Sequence, residues 1–287
     1  MIDGLEGATN ISHLFIPDIP GGYESIAIAA SALGATQRLR IGSGVIRLLE
    51  HDDTGLLLRR METIQSASGN RFILGVGTGA PGPSPGKTID AMLSKLEKIR
   101  SEFGRKTSDQ EVAMPDTFVA TLKPRIAKKA AEARVSGILL NFCSANYAHD
   151  MISRLREGGH LDIDCACYIK VFYSRDQSTA DRLLIQEFVN YNSLSQYHLM
   201  FQMDGVASAI EQAGSSLKRD EGGAAPQIPQ ALRQISLSNP TINDLRELVA
   251  KFREAGVTLP CIYPYFSRDE EEGYKGEIIR SIAQARV

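Results

Sequence analysis

"RFILGVGTGAPGPSPGKT", residues 71–88, sets an apolar run against closely spaced glycines and a terminal Gly-Lys-Thr, residue types that cradle phosphate in several unrelated ways. A P-loop would end in Gly86, Lys87 and Thr88, but it needs glycine at position 81, where Pro81 stands. Pro81, Pro83 and Pro85 also lack the backbone N–H groups by which such a loop holds phosphate oxygens. A dinucleotide fingerprint is met by Gly75, Gly77 and Ala80, yet a helix can begin only beyond the prolines. The acidic residue expected about 20 positions on, Glu97, falls in mid-helix. What remains is a βα loop at the C-terminal face of a barrel, where glycines let backbone approach a phosphorylated cofactor; a plain chain turn would use the same glycines.

Other chemistries find little support in residue spacing. Cys143, Cys165, Cys167 and Cys261 form no CxxC pair and have no histidines at zinc-ligand spacing, so free, buried thiols are expected. The five histidines are dispersed, which argues against a metal site, and no Ser-His-Asp arrangement emerges. An aldolase-type barrel would need a lysine at the C-terminal end of a strand, for which Lys123 after "FVATL" is the candidate.

The elements that must position the glycine loop follow from periodicity. Strands are expected at 11–17, 38–46, 71–77, 116–122, 137–143, 162–173 and 258–266, separated by longer segments of helical period. That alternation is the pattern of a parallel α/β fold. From near Gly86, residues Ile89, Met92, Leu93, Leu96, Ile99 and Phe103 form one apolar helical stripe. In "NPTINDLRELVAKFREAGV", Thr241 and Asp244 can close a capping box, Leu245, Leu248, Val249 and Phe252 form the buried stripe, and Gly256 ends the helix. A long helix is expected over about 178–203, carrying Tyr191, Tyr197, His198, Met200 and Phe201, whose spacing suits a core stripe as well as a site. Residues 204–240, rich in glycine, proline and charge, are expected to be a surface insertion in a single domain spanning 1–287.

With 43% hydrophobic residues, the 287-residue chain can bury a substantial core. A formal charge of -2 provides no field to recruit nucleic acid or an anionic membrane, so small molecules are the expected partners. No apolar run approaches the roughly 20 residues that cross a bilayer, and no signal pattern follows Met1, so a cytoplasmic location is expected.

Three segments, "IAIAASALGATQRLRIGSGVI", "LLLRRMETIQSASGNRFILGVGTGAPG" and "ISLSNPTINDLRELVAKFREAGVTLPCIYPY", together resemble the bacterial-luciferase-like oxidoreductases, in the subgroup that uses FMN or the deazaflavin coenzyme F420. The resemblance implies a (β/α)8 TIM barrel with the cofactor at the C-terminal ends of its strands, and a homodimer. By position it assigns Asp18 to the carboxylate that ends the family's second strand near the cofactor ring; a helix N-cap would use the same side chain. Ser43, Gly44 and Val45, in "GSGVI", match the bulge where deazaflavin-dependent relatives place a cis peptide against the ring, carried over here to Gly44–Val45. Gly77, Thr78, Gly79 and Ala80 match the loop that contacts the cofactor's ribityl and phosphate groups. Asn141 falls where a strand presents a polar group to the ring or substrate, although a capping asparagine fits equally. Tyr263 and Tyr265 end the last strand near the same face.

Departures from the family pattern carry their own expectations. Ala80 and Pro81 stand where related F420 enzymes place an acidic proton donor, and Ile19 stands where a histidine is common, so no catalytic acid is assigned. "ISHLFIP" resembles the family's second strand with only ten residues before it, so the barrel is expected to lack its first strand and helix, with the opening covered in a homodimer. The function implied is an oxidoreductase of the luciferase-like monooxygenase and reductase type, passing hydride between F420, or alternatively FMN, and a small organic substrate. The other reading is a non-catalytic flavin-binding or interaction protein on a truncated barrel, motivated by the missing strand and acid.

Overall fold

The apolar, β-branched runs become parallel strands, and the segments of helical period become the helices that cover them. The computed structural model describes residues 2–19, 21–79, 85–103, 112–219 and 226–285. A short helix α1 (Ile2–Gly7) leads into β1 (His13–Ile16), α2 (Ser25–Gly34), β2 (Arg40–Ser43), β3 (Ile46–Arg47), a 3-10 turn (Leu48–Glu50) and α3 (Thr54–Ser68). Then come β4 (Phe72–Gly77), α4 (Pro85–Glu102), β5 (Asp116–Ala120), α5 (Pro124–Glu132), β6 (Gly137–Asn141), α6 (Ala145–Glu157) and β7 (Asp164–Tyr173). The chain continues through α7 (Gln177–Asn192), α8 (Ser195–Met203), α9 (Ala207–Arg219), α10 (Gln230–Arg233), β8 (Leu237–Ser238), α11 (Ile242–Glu254), β9 (Leu259–Phe266) and α12 (Glu272–Gln284).

All strands pair in parallel in one curled sheet of order β1-β2-β4-β5-β6-β7-β8, with β3 beside β4 and β9 beside β7. Because strand side chains alternate between faces, the sheet buries two layers. Phe15, Ile73, Phe118, Leu139, Ala166 and Tyr168 pack inside the curl. The larger outer layer seats the helices, among them α4 through Ile89, Met92, Leu96 and Ile99 and α11 through Leu245, Leu248, Val249 and Phe252. The Thr241–Asp244 capping box forms as expected, and Gly256 takes a positive φ of 95° beyond the end of α11.

The sheet begins with β1, which lies inside the expected strand at 11–17. Among the described residues no pairing joins β1 to β9, and a cavity of about 590 Å³ lies between them, lined by Phe15, Ile16, Ile262, Tyr263 and Ile282 among others.

Three expectations are corrected. The helix over 178–203 is two helices: the Ser193 hydroxyl donates to the Asn190 carbonyl at 2.6 Å, closing the end of α7, and Leu194 is extended (φ -89°, ψ 120°) before α8 begins. Residues 204–240 are not a surface insertion through most of their length. Within them α9 buries Ile210 and Ala213 against the core, and β8 extends the sheet beside β7. Glycine and proline beyond residue 219 obscured a helix whose apolar spacing is ordinary. The expected strand at 38–46 divides into β2 and β3 around Gly44 and Val45.

The packing of α9 on α7 rests on a glycine, since a Cβ at Gly214 would lie 2.8 Å from Val189 Cγ2. A glycine-to-alanine change inside a helix ordinarily adds about 1 kcal/mol of stability. Gly214→Ala is expected to lower stability instead, by overpacking against a stiff β-branched side chain. Urea denaturation should show the loss, and Val189→Ala should cost less in the Gly214→Ala background than alone.

Candidate active site at the strand C-terminal ends

The C-terminal ends of β2 and β4 meet with no room for side chains. A Cβ on Gly75 would stand 2.0 Å from the Ser43 carbonyl oxygen, one on Gly77 2.9 Å from Val45 Cγ2, and one on Gly44 1.8 Å from the Tyr168 hydroxyl. The Gly44–Val45 peptide is cis, as the resemblance implies. Its Gly44 carbonyl accepts from the Tyr168 hydroxyl at 3.1 Å, while the Gly44 N–H donates to Ile16 at 2.7 Å. Burial pushes the Tyr168 phenol well above its ordinary pKa, so it stays protonated as a donor. The result is a shelf of bare backbone, fixed from the barrel interior by one tyrosine.

Ser43 does not present its hydroxyl to this shelf. Its Oγ donates to the Gly75 carbonyl at 2.9 Å and accepts from the Gly75 N–H at 3.1 Å, bridging β2 to β4 beyond their paired residues. Asp18, after β1, accepts from the Ser25 N–H at 3.4 Å, which directs its carboxylate toward the start of α2. Gly79 adopts a φ of 77° that its glycine permits, and Gly77, Thr78 and Gly79 continue from β4 beside the Arg47 side chain. Ala80 lies outside the described residues.

Asn141 ends β6 and donates through Nδ2 to the Tyr197 hydroxyl at 2.7 Å, whereas its buried Oδ1 has no partner. Behind it Phe142, at a φ of 58°, stacks on Phe188 at 4.2 Å. A bulky residue in the left-handed region is uncommon and persists where surroundings enforce it. Here Phe142 is fully buried among the rings of Phe188, Tyr191 and Phe201.

Sequence reasoning missed Tyr168 and Lys170, because "CYIKVFY" reads as a uniformly buried strand. Residues 168 and 170 share a face of β7, and Lys170, 5% exposed, pairs with Glu187 of α7. Its ammonium lies 4.0 Å from the Tyr191 ring centroid, 5.1 Å from Phe142 and 5.6 Å from Tyr263. Burial pulls the Lys170 pKa down, but Tyr191 and the Glu187 carboxylate outweigh it and leave the value raised. A Schiff-base lysine needs the opposite shift, so Lys170 does not suit an aldolase; Lys123 lies in the loop between β5 and α5. The four cysteines are free, and burial raises the Cys261 thiol to about 12. Among the described residues no group of three or more His, Cys, Asp or Glu side chains gathers as a metal site.

Any Cβ on the shelf would collide with neighbouring protein atoms, which keeps its backbone bare, and two buried polar atoms, Asn141 Oδ1 on β6 and Arg47 Nε on β3, lack partners.

Residues 3–87 match the family model of luciferase-like monooxygenases, which bears out the resemblance over the segment that contains the shelf. No curated protein matches the sequence. Over its whole length the chain shares the fold of solved structures at low identity. One is an F420-dependent secondary alcohol dehydrogenase bound to an F420-acetone adduct, 12% identical, with 100% of this chain and 94% of that one covered at a TM-score of 0.71. Another is the coenzyme F420-dependent tetrahydromethanopterin reductase of Methanopyrus kandleri, 14% identical, with 99% and 92% covered at 0.61. A third is the oxygenating constituent of 3,6-diketocamphane monooxygenase from Pseudomonas putida in complex with FMN, 12% identical, with 99% and 89% covered at 0.60.

The Lys170–Glu187 pair supplies a test of the site's architecture. Lys170→Met leaves a buried carboxylate uncompensated and should cost about 3–5 kcal/mol, whereas replacing both partners with apolar residues of similar volume is close to neutral. Lys170→Met/Glu187→Leu is therefore expected to recover most of the single variant's loss in chemical denaturation. Equal instability of the two proteins would show that the pair does not carry the link between β7 and α7.

Proposed function

We propose that the chain is an oxidoreductase of the luciferase-like kind, which holds a flavin-type cofactor on the Gly44–Val45 shelf and mediates hydride transfer to or from a small organic substrate. The observation that carries this reading is the side-chain-free meeting of β2 and β4, at strand C-terminal ends where barrels place their sites. It falls inside the segment that matches the luciferase-like family model. F420 is the favoured cofactor, because the bulge contains glycine as in the deazaflavin-dependent relatives; FMN is the alternative.

The bound cofactor supplies the hydride chemistry, and the protein's share is orientation. Tyr168 holds the Gly44 carbonyl from below, fixing the height of the shelf. Gly77, Thr78 and Gly79 would hold the cofactor's tail. Tyr197 fixes the Asn141 amide so that its free Oδ1 can accept from a donor on the ring or substrate. No described side chain is assigned as the acid, and the proton comes from solvent or substrate.

Fluorescence titration of the purified protein with F420 and with FMN is expected to show tight binding of one, with F420 preferred. Tight binding of neither would overturn the reading. Reduced cofactor should then be oxidised by at least one member of a panel of small ketones, aldehydes and alkenes, monitored by absorbance. Binding without turnover across the panel would favour a non-catalytic flavin-binding protein on the same scaffold.

A further inference from the structure

We propose that Arg47 is the cation that receives the cofactor's phosphate, displacing Glu50 from its guanidinium when the cofactor binds. This rests on the function proposed above and adds a residue that neither the glycine pattern nor the family resemblance indicates.

Arg47 ends β3 directly beside Gly77, its registered partner on β4. The strand end therefore delivers a guanidinium to the loop formed by Gly77, Thr78 and Gly79. Its aliphatic stem packs on Gly79 so closely that a Cβ there would lie 3.2 Å from both Arg47 Cγ and Cδ. The positive φ of Gly79 favours glycine, and the missing side chain leaves the Arg47 stem room to lie against the loop.

The hydrogen-bonding of Arg47 is incomplete. Its Nη1 meets Glu50 Oε2 at 3.1 Å, but its buried Nε–H has no partner. An arginine fork is built for two parallel bonds to one carboxylate or phosphate, and a buried donor left unmade is costly enough to call for an explanation. A phosphate at the loop would take the free Nε–H along with part of the guanidinium that Glu50 now holds. The exchange is inexpensive, since the Glu50 side chain is 54% exposed and an exposed ion pair contributes little. A cofactor without a phosphate would gain nothing from Arg47.

The test compares ligands that differ only in that group: FMN against riboflavin, and the 5′-phosphate of deazariboflavin against deazariboflavin itself. In wild-type protein the phosphorylated member of at least one pair should bind ten-fold or more tightly than its counterpart, the scale expected for one charge-assisted contact. Arg47→Met should bring that ratio close to one while leaving the phosphate-free ligand's affinity unchanged, which also reports an intact fold. Glu50→Gln removes the competing carboxylate and should tighten only the phosphorylated ligand, by a few-fold. A ratio preserved in Arg47→Met, or equal effects of either variant on both members of a pair, would overturn the role of Arg47 while leaving cofactor binding standing. Failure of the wild-type protein to bind any of the four would overturn the role together with the cofactor reading.

Discussion

The close approach of β2 to β4 is the constraint on which the candidate site depends. A Cβ at Gly42 would strike the Ile73 carbonyl oxygen at 2.1 Å, and one at Gly75 would strike that of Ser43 at 2.0 Å. These are backbone contacts, so no rotamer change relieves them. Two backbones can come this near only when both strands give up side chains, and glycine is the residue that permits it. The regular ladder between them is short, covering Ile41 with Phe72 and Gly42 with Ile73. The Ser43 hydroxyl then takes over, bonded to both the N–H and the carbonyl of Gly75. With its proton and one lone pair used between the strands and its side chain fully buried, this serine belongs to the frame of the site.

With the shelf stripped of side chains, every group that could recognise a ligand must arrive from another element. Tyr168 rises from β7 beneath the Gly44 carbonyl and meets the Tyr263 ring of β9 at 5.8 Å. Lys170 stands two residues further along the same inward face, boxed by aromatic rings and held by Glu187. Asn141 is braced by Tyr197, whose ring meets Tyr191 edge-on at 4.4 Å, and Tyr191 in turn lies against the Lys170 ammonium. One connected set of contacts thus runs from the backbone shelf to α7 and α8. Rigidity of this kind is what an orienting site requires.

The sequence displays parts of this directly and hides others for identifiable reasons. The stripes of α4 and α11 and the Thr241 capping box are local patterns, and local patterns survive folding. The glycines of "GSGVI" and "GVGTG" are legible because few other uses account for so many in apolar runs. Tyr168 and Lys170 were illegible, since a hydroxyl and an ammonium inside a buried strand declare themselves only when Gly44 and Glu187, distant in sequence, supply the partners. Arg47 was overlooked because its importance lies in a missing bond, which composition cannot show. The break between α7 and α8 turns on Ser193 closing onto Asn190, a side-chain choice invisible to hydrophobic periodicity. The helix at 207–219 is masked in the sequence by the glycines and prolines that follow it.

The open edge of the sheet follows from chemistry of the same backbone kind. In the register of β9 on β7, Pro260 has no N–H to give, so Leu259, Cys261 and Tyr263 must turn their amides toward β7. The intervening residues, Pro260, Ile262 and Pro264, then face the gap before β1, and of these three only Ile262 carries an N–H. Prolines at such positions are a recognised means of blunting an exposed edge, since a strand adding there would find acceptors with few donors among them. The two prolines thus let β9 pair fully along β7 on one side while discouraging indiscriminate pairing on the other.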